Sequence, residues 1–318
     1  MKILILRFSS IGDIVLTSPV VRCLKQQLNA SEIHFLTKKS FASIVENNPN
    51  VDKVFSFEKD VKEVLPELKK ENYDWVIDLH HNLRSMQVKR ALEKPSKSFN
   101  KLNIEKWLLV NLKINRMPEK HIVDRYFETV AHLGVKNDLN GLEFFIEAKN
   151  EVNISSLPKE YQNGFIAFVN GAKHNTKKLP TEKIISICKK LNRAVILIGG
   201  KEDFEVGEKI ASQISNVFNG CGKYNLQQSA SLIKQADKAI THDTGMMHIA
   251  AAFQKNIISV WGNTVPEFGM YPYMPSKESK IVEVKNLSCR PCSKIGFEKC
   301  PKGHFKCMNE IDETAFIT

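Results

Sequence analysis

Two stretches of the chain combine carboxylates, hydroxyls and glycine in the order that a strand-to-helix turn requires. Residues 7–13 read Arg7-Phe8-Ser9-Ser10-Ile11-Gly12-Asp13, after an apolar run and before a helical pattern that starts near Ile14. An open α/β sheet displays its reactive groups in such loops, beyond the carboxyl ends of its strands. Asp13 is then either a first-turn acid facing the helix dipole or a general base at a ligand site. Residues 241–252 read THDTGMMHIAAA, again a strand end, a polar turn and a helix of small residues. The first amides of a helix have no intrahelical carbonyl and bind phosphate well, and Gly245 lets the backbone approach a ligand closely. Spacing alone leaves Asp243 open between a helix cap and a ligand contact.

Two further loops carry polar groups. Residues 170–180, NGAKHNTKKLP, are rich in hydrogen-bond donors, and Gly199-Gly200-Lys201-Glu202-Asp203 ends another apolar run in a turn with two acids. Carboxylates after a second strand often hold ribose hydroxyls. Neither G-x-G-x-x-G nor G-x-x-x-x-G-K-[ST] is present, so the dinucleotide fingerprint and the P-loop are both excluded. Near the carboxyl end stand Cys289, Cys292, Cys300 and Cys307, with His304 among them. Four thiols in so short a span suit a structural zinc site, yet the second pair lacks the short spacing of zinc ribbons. Reduced thiols or adventitious disulfides are the alternative. No acid or base motif surrounds them, so a catalytic metal is not expected.

The elements that must position these loops alternate apolar runs with amphipathic stretches. Runs at 2–8, 33–37, 54–57 and 75–80, and again at 164–170, 194–200, 238–243 and 257–262, predict strands. Helical patterns lie between them, at 181–190, 204–214, 225–235 and 245–253 in the second half. The βαβ order predicts two doubly wound parallel-sheet domains, 1–150 and 151–318, joined by the polar stretch 149–163. A basic helical segment over 83–134 reads as an insertion on the first.

Length and charge bound the partners. The 318 residues, 42% hydrophobic and 25% charged, are globular in composition, which excludes disordered, fibrous and multi-span membrane classes. The amino-terminal apolar run is broken by Arg7 and Asp13, so it reads as a strand rather than a secretion signal. Seven cysteines without an export signal point to the reducing cytoplasm. A net charge of +11 favours anionic ligands or surfaces. Nucleic acid is a poor candidate, since no zinc finger, basic zipper or RNP-type signature is present.

RFSSIGDIVLTSPV, the KKLP loop, IGGKED, HDTGMMHIAAA and VWGNTVPEF together resemble glycosyltransferase family 9, the ADP-heptose:lipopolysaccharide heptosyltransferases. The resemblance runs in order through both halves and is weakest over 83–134. It implies a GT-B architecture of two Rossmann-like domains facing across a cleft, and inverting transfer of heptose from ADP-heptose to a lipopolysaccharide inner-core acceptor. Asp13 matches the family's catalytic base. Lys178 matches a lysine near the donor pyrophosphate; Thr244, Gly245, Met246, Met247 and His248 match the helix start beside it. Asp243 matches a carboxylate near the donor sugar, and Asp203 or Glu202 one near the ribose, with Asn170 on the same side. Ser9, Ser10, Gly12, His80, Asn82 and Arg84 are the acceptor-side candidates, and Asp78 and Ser85 accompany them.

The family pattern implies no obligatory cofactor. Its partners would be an ADP-sugar, an anionic lipopolysaccharide core and, peripherally, the cytoplasmic face of the inner membrane. Asn170-Gly171-Ala172 and Leu179 depart from the family's hydroxyl and aromatic residues at those places, which leaves another nucleotide sugar or surface glycan as the alternative substrate. A basic nucleic-acid-binding protein and a non-catalytic nucleotide-sugar binder are the alternatives of another class.

Overall fold

Strand β1 (Lys2–Leu6) is buried from Ile3 to Leu6, a pattern that suits a sheet covered on both faces. The computed structural model, which describes residues 1–29 and 31–317, places β1 at the centre of a five-stranded parallel sheet. The other strands are β2 (Glu32–Lys38), β3 (Lys53–Phe57), β4 (Trp75–Asp78) and β5 (Ser96–Ser98), in the order β3-β2-β1-β4-β5. Ile3 stands opposite Ile33 and Trp75, and Ile5 opposite Phe35 and Ile77. One core layer joins Leu4, Leu6, Leu36 and Val76 with Phe55, Phe57 and Tyr73.

The second sheet has six parallel strands in the order β11-β10-β9-β6-β7-β8. They are β6 (Ile166–Val169), β7 (Val195–Ile198), β8 (Val217–Asn219), β9 (Lys238–His242), β10 (Asn256–Trp261) and β11 (Lys280–Glu283). The helix Thr181–Leu191 buries Ile184, Ile185, Ile187 and Cys188 against it, on the 3.6-residue repeat of an amphipathic helix. All eight expected strands are present. In each sheet the order reverses beside a central strand, and the loops carrying the candidate residues lie after β1, β4, β6, β7 and β9.

The domain boundaries differ from those expected. One unit is Met1–Leu102 with Lys120–Phe145, and the other is Asn103–Glu119 with Ile146–Thr318. Only part of the basic segment therefore belongs with the first sheet, where it includes the edge strand β5. Residues 103–119 join the second unit because Leu109, Val110 and Met117 pack against Val265 and Phe268, and Lys113 Nζ donates to the carbonyls of Pro291 (2.7 Å) and Cys289 (3.3 Å). Among the described residues no helix is long and apolar enough to cross a membrane.

Candidate active site

In the first unit the helix after β1 starts at Ile11, three residues before the expected place. Asp13 is its third residue and reaches back to Ser10, accepting from the Ser10 amide (3.2 Å) and Oγ (2.8 Å) through Oδ2. Its Oδ1 meets Arg7 Nη2 at 2.5 Å. Arg7 is buried and fully engaged, donating to the carbonyls of Ser9 and Leu79 and to the Tyr126 hydroxyl. Burial opposes the guanidinium charge, but Asp13, Tyr126 and Asp78 hold its pKa above the ordinary value. Asp13 thus serves as a first-turn acid while its side chain stays 20% exposed. Anchoring and proton acceptance are compatible in one carboxylate.

The loop after β4 is built around Asp78, which is fully buried. It accepts from the amides of His80 and His81 and from Ser85 Oγ and Ser98 Oγ, and pairs with Lys89 Nζ at 3.0 Å. Burial acts against this charge, yet the His81 amide, Lys89 and Ser85 hold its pKa below the ordinary carboxylate value. Asn82 caps the next helix through Ser85 N, and Gly12 is buried. Asp78, Asn82 and Ser85 therefore shape the loop. Ser10 and Arg84 are exposed, Ser9 and His80 half-buried.

His80 lies against Phe8, ring centroids 4.7 Å apart, and its Nδ1 has no partner among the described residues. Burial, with Arg7 and Lys101 nearby, brings its pKa down to about 4, so the ring is neutral at pH 7.

In the second unit the two lysines of KKLP take different carboxylates. Lys177 Nζ lies 2.6 Å from Asp243 Oδ2, which also accepts from Thr264 Oγ1 at 2.7 Å. Lys178 Nζ lies 2.7 Å from Asp203 Oδ1, whose other oxygen accepts from the Gly200 amide. Gly171 is required here because a Cβ at that position would run into the Asp203 carboxylate. Both lysines keep some exposure, 16% and 24% at the side chain, so an arriving phosphate can exchange with either carboxylate.

Beside them the helix Gly245–Ala252 begins at Thr244, whose buried Oγ1 has no partner among the described residues. Asn170 accepts from Cys221 Sγ at 3.1 Å, while its buried Nδ2 is likewise unpartnered. Gly245 and Met246 are half-buried, but Met247 is fully buried and its amide is bonded to the Thr244 carbonyl, so it belongs to the core under the segment. His248 is also buried, and Glu202 is exposed.

Sequence reasoning did not single out Lys177, His242, Thr264 or Arg7. His242 is fully buried, and its Nε2 accepts from the Leu179 amide at 2.9 Å. That bond fixes the neutral tautomer with the proton on Nδ1, and burial, with Lys178 close by, lowers the pKa to about 3. The signal available was position alone, since His242 directly precedes Asp243 and Lys177 directly precedes Lys178.

Both histidines have folded pKa values below the unfolded value of about 6.5, so the unfolded chain binds more protons between about 6.5 and 3. Stability is full above that window and lost as pH falls through it. The urea midpoint is expected to drop on acidification from pH 6.5 to 4, and His242→Gln, which keeps the acceptor for Leu179, to flatten the drop. A midpoint equally acid-sensitive in that variant would remove His242 as a cause.

The four tail cysteines are neighbours, since Cys307 lies near Cys292, Cys300 and Cys289, and Cys292 near Cys289 and Cys300. Cys289 Sγ is 3.9 Å from His304 Nε2, and the Cys292 thiol donates to the Cys289 carbonyl. Burial and the neighbouring Cys289 push the Cys292 thiol up to about 11; burial pushes Cys307 up to about 12. Among the described residues the only three donors within 4.8 Å of one another are Glu32, His34 and Glu71. There Lys2 bridges both glutamates and Lys53 pairs with Glu71, so cations already fill the place of an ion. Cys289, Cys292, Cys300 and Cys307, with His304 beside Cys289, are the residues that would hold a structural ion in the tail.

A protein-family model described as glycosyltransferase family 9 (heptosyltransferase) matches residues 61–300. The chain belongs to glycosyltransferase family 9. Lys178, Asp203 and Asp243 fall inside the matched residues, and Asp13 lies before them. This family 9 chain is 26% identical over 292 residues to lipopolysaccharide heptosyltransferase 1 of Campylobacter coli, covering 83% of this chain and 84% of that one. Its fold is similar to the crystal structure of a glycosyl transferase family 9 protein from Veillonella parvula, with TM-score 0.78 and 21% identity over 99% and 95% of the two chains. It is also similar to E. coli ADP-heptose lipopolysaccharide heptosyltransferase II, with TM-score 0.72 and 19% identity over 98% of each chain. The expected fold class and enzyme class both stand: the chain is a glycosyltransferase.

Proposed function

We propose that the chain is an inverting heptosyltransferase that moves heptose from ADP-heptose to a lipopolysaccharide inner-core acceptor. The observation that carries the proposal is the cluster at the ends of β6, β7 and β9, where Lys177, Lys178 and the start of the helix Gly245–Ala252 meet Asp203 and Asp243. Two lysines beside a helix N-terminus make a diphosphate site, with carboxylates at hand for sugar and ribose hydroxyls. Heptosyltransferase relatives in the same family support the donor.

In the proposed reaction Asp13 takes the proton of an acceptor hydroxyl as that oxygen bonds to the anomeric carbon. The bond from that carbon to the diphosphate oxygen breaks, its electron pair leaves with ADP, and the anomeric configuration inverts. Lys178, Lys177 and the helix amides stabilise the charge that develops on ADP. The test is ADP release from ADP-heptose with and without a Kdo-lipid acceptor. Acceptor-dependent release is expected. Release only from another nucleotide sugar would reassign the donor, and no release from any would overturn the proposal.

We also propose peripheral attachment to the cytoplasmic face of the inner membrane, through residues 103–114. Ile104, Trp107, Leu112 and Ile114 are 73, 57, 53 and 45% exposed. Residues 108–112 form a π-helical turn, so positions five apart, such as 107 and 112, share a face. The opposite face, Leu109 with Val110, is already packed on Val265 and Phe268. Lys106 and Arg116 flank the apolar side chains, and Lys113 lines a recess together with Lys302. A Trp among aliphatics and cations suits an anionic headgroup layer. Trp107→Ser with Leu112→Ser is expected to cut binding to phosphatidylglycerol vesicles by more than about tenfold, as each buried side chain is worth roughly 1.5–3 kcal/mol. Turnover of a soluble, delipidated acceptor should not change. Undiminished vesicle binding would place the membrane contact elsewhere.

A further inference from the structure

The tail segment from Arg290 to Phe297 touches both loops that converge on Asp243. Arg290 is the hub, with a side chain 6% exposed. Its Nε donates to the Gly262 carbonyl (2.5 Å), and Nη2 to the carbonyls of Thr264 (2.9 Å) and Trp261 (3.4 Å) and to Glu283 Oε2 (2.9 Å). Nη1 donates to the Val284 carbonyl at 2.6 Å. One planar guanidinium thus fixes three carbonyls, that of Trp261 at the end of β10 and those of Gly262 and Thr264 in the turn after it, and the Cys292 amide adds a fourth bond at the Asn263 carbonyl (3.1 Å). That turn carries Thr264, whose hydroxyl donates to Asp243 Oδ2.

Seven residues on, Phe297 grips the KKLP loop. The Thr176 amide donates to the Phe297 carbonyl (3.1 Å), and the Phe297 amide donates to Thr176 Oγ1 (2.8 Å). Thr176 immediately precedes Lys177, whose ammonium shares Asp243 Oδ2 with Thr264. The two gripped loops touch each other at Gly262, where a Cβ would come within 2.9 Å of the Thr176 carbonyl.

We infer that residues 290–297 act as a strap that holds the Lys177 and Thr264 loops against Asp243, and that Arg290 is a positioning residue of the donor site. Arg290 bonds no residue assigned to donor contact; it acts through the backbone of 261–264. The chemistry demands arginine, because a lysine ammonium is a single point charge and cannot span carbonyls on both sides of a turn. That the site in question binds an ADP-sugar rests on the function proposed above.

The test is Arg290→Lys, with Thr176→Val as a second variant at the other anchor of the strap. Amide hydrogen exchange of the full chain is expected to quicken at 174–179 and at 241–247 in Arg290→Lys, with β6 and β7 still protected. Unchanged exchange, faster exchange at only one of the two segments, or faster exchange throughout the second unit would each overturn the strap. In turnover, kcat/KM for ADP-heptose should fall about 10–100-fold, the scale of a displacement near 1 Å, with the acceptor KM unchanged. Thr264→Val combined with Arg290→Lys should lose clearly less than the product of the two single losses, because part of the Arg290 effect runs through the Thr264 bond to Asp243. Fully multiplicative losses would overturn the route through Thr264. If the wild type fails to turn over ADP-heptose, the donor assignment falls while the exchange data still decide the strap.

Discussion

Asp13→Asn is expected to lower kcat by about 10²–10⁴, the usual contribution of a positioned general base, with ADP affinity unchanged. Asparagine keeps the shape and can still accept from the Ser10 amide, so the turn that presents residue 13 survives. What it loses is the ability to take a proton, and the negative charge beside Arg7. The second loss has its own consequence. Arg7 is buried, and removing one partner of a buried pair destabilises because the other charge stays without compensation. Because Asp13 is partly exposed and Tyr126 and two carbonyls remain on Arg7, the penalty should be well short of that for a fully buried pair. The variant should melt lower yet still fold.

Rates are therefore compared per folded molecule, by single-turnover ADP release with acceptor in excess. A variant that releases ADP at the wild-type rate would leave Asp13 only its role in the turn. That outcome would also favour a nucleotide-sugar binder without transfer.

The parts legible in the sequence are those fixed by local pattern. Strands such as Ile166–Val169 of β6 announce themselves as continuous apolar runs, because both faces are covered. Two edge strands do not. Ser96–Ser98 of β5 has two exposed residues and no apolar side chain, and Lys280–Glu283 of β11 has only Val282 buried. The placement of 103–119 was beyond reach for another reason: Leu109 and Met117 find their partners in Val265 and Phe268, about 150 positions away, and no periodicity encodes such a pairing. The same holds within the site. Strand-to-helix turns made Asp13, Asp203 and Asp243 visible, but not their partners. Lys178 has an extended backbone, so its side chain departs from that of Lys177 and the neighbours reach different carboxylates. The family resemblance named Lys178 alone, because a motif transfers positions and not contacts.

The pairing of Lys178 with Asp203 makes Lys178→Met the second large effect. Removing one donor aimed at developing charge typically costs about 10²–10³ in rate, and here the loss is compounded. Asp203 is 5% exposed at the side chain, and without the ammonium its carboxylate keeps, among the described residues, only the Gly200 amide as a bond at Oδ2. An uncompensated anion would then stand where the diphosphate must bind, so kcat/KM for ADP-heptose and the affinity for ADP should fall together.

The second substitution Asp203→Asn supplies the sign test. If repulsion from Asp203 is part of the defect, Lys178→Met with Asp203→Asn should bind ADP more tightly than Lys178→Met alone, even though Asp203→Asn by itself would weaken the proposed ribose contact. Calorimetric titration of ADP into the four proteins of that cycle measures the coupling directly. Wild-type ADP affinity in Lys178→Met would remove the lysine from the diphosphate site and leave Lys177 as the cation there. A double variant no weaker than Asp203→Asn alone would show that Lys178 acts only by holding Asp203 in place, whereas losses that multiply would show that the two serve the nucleotide independently.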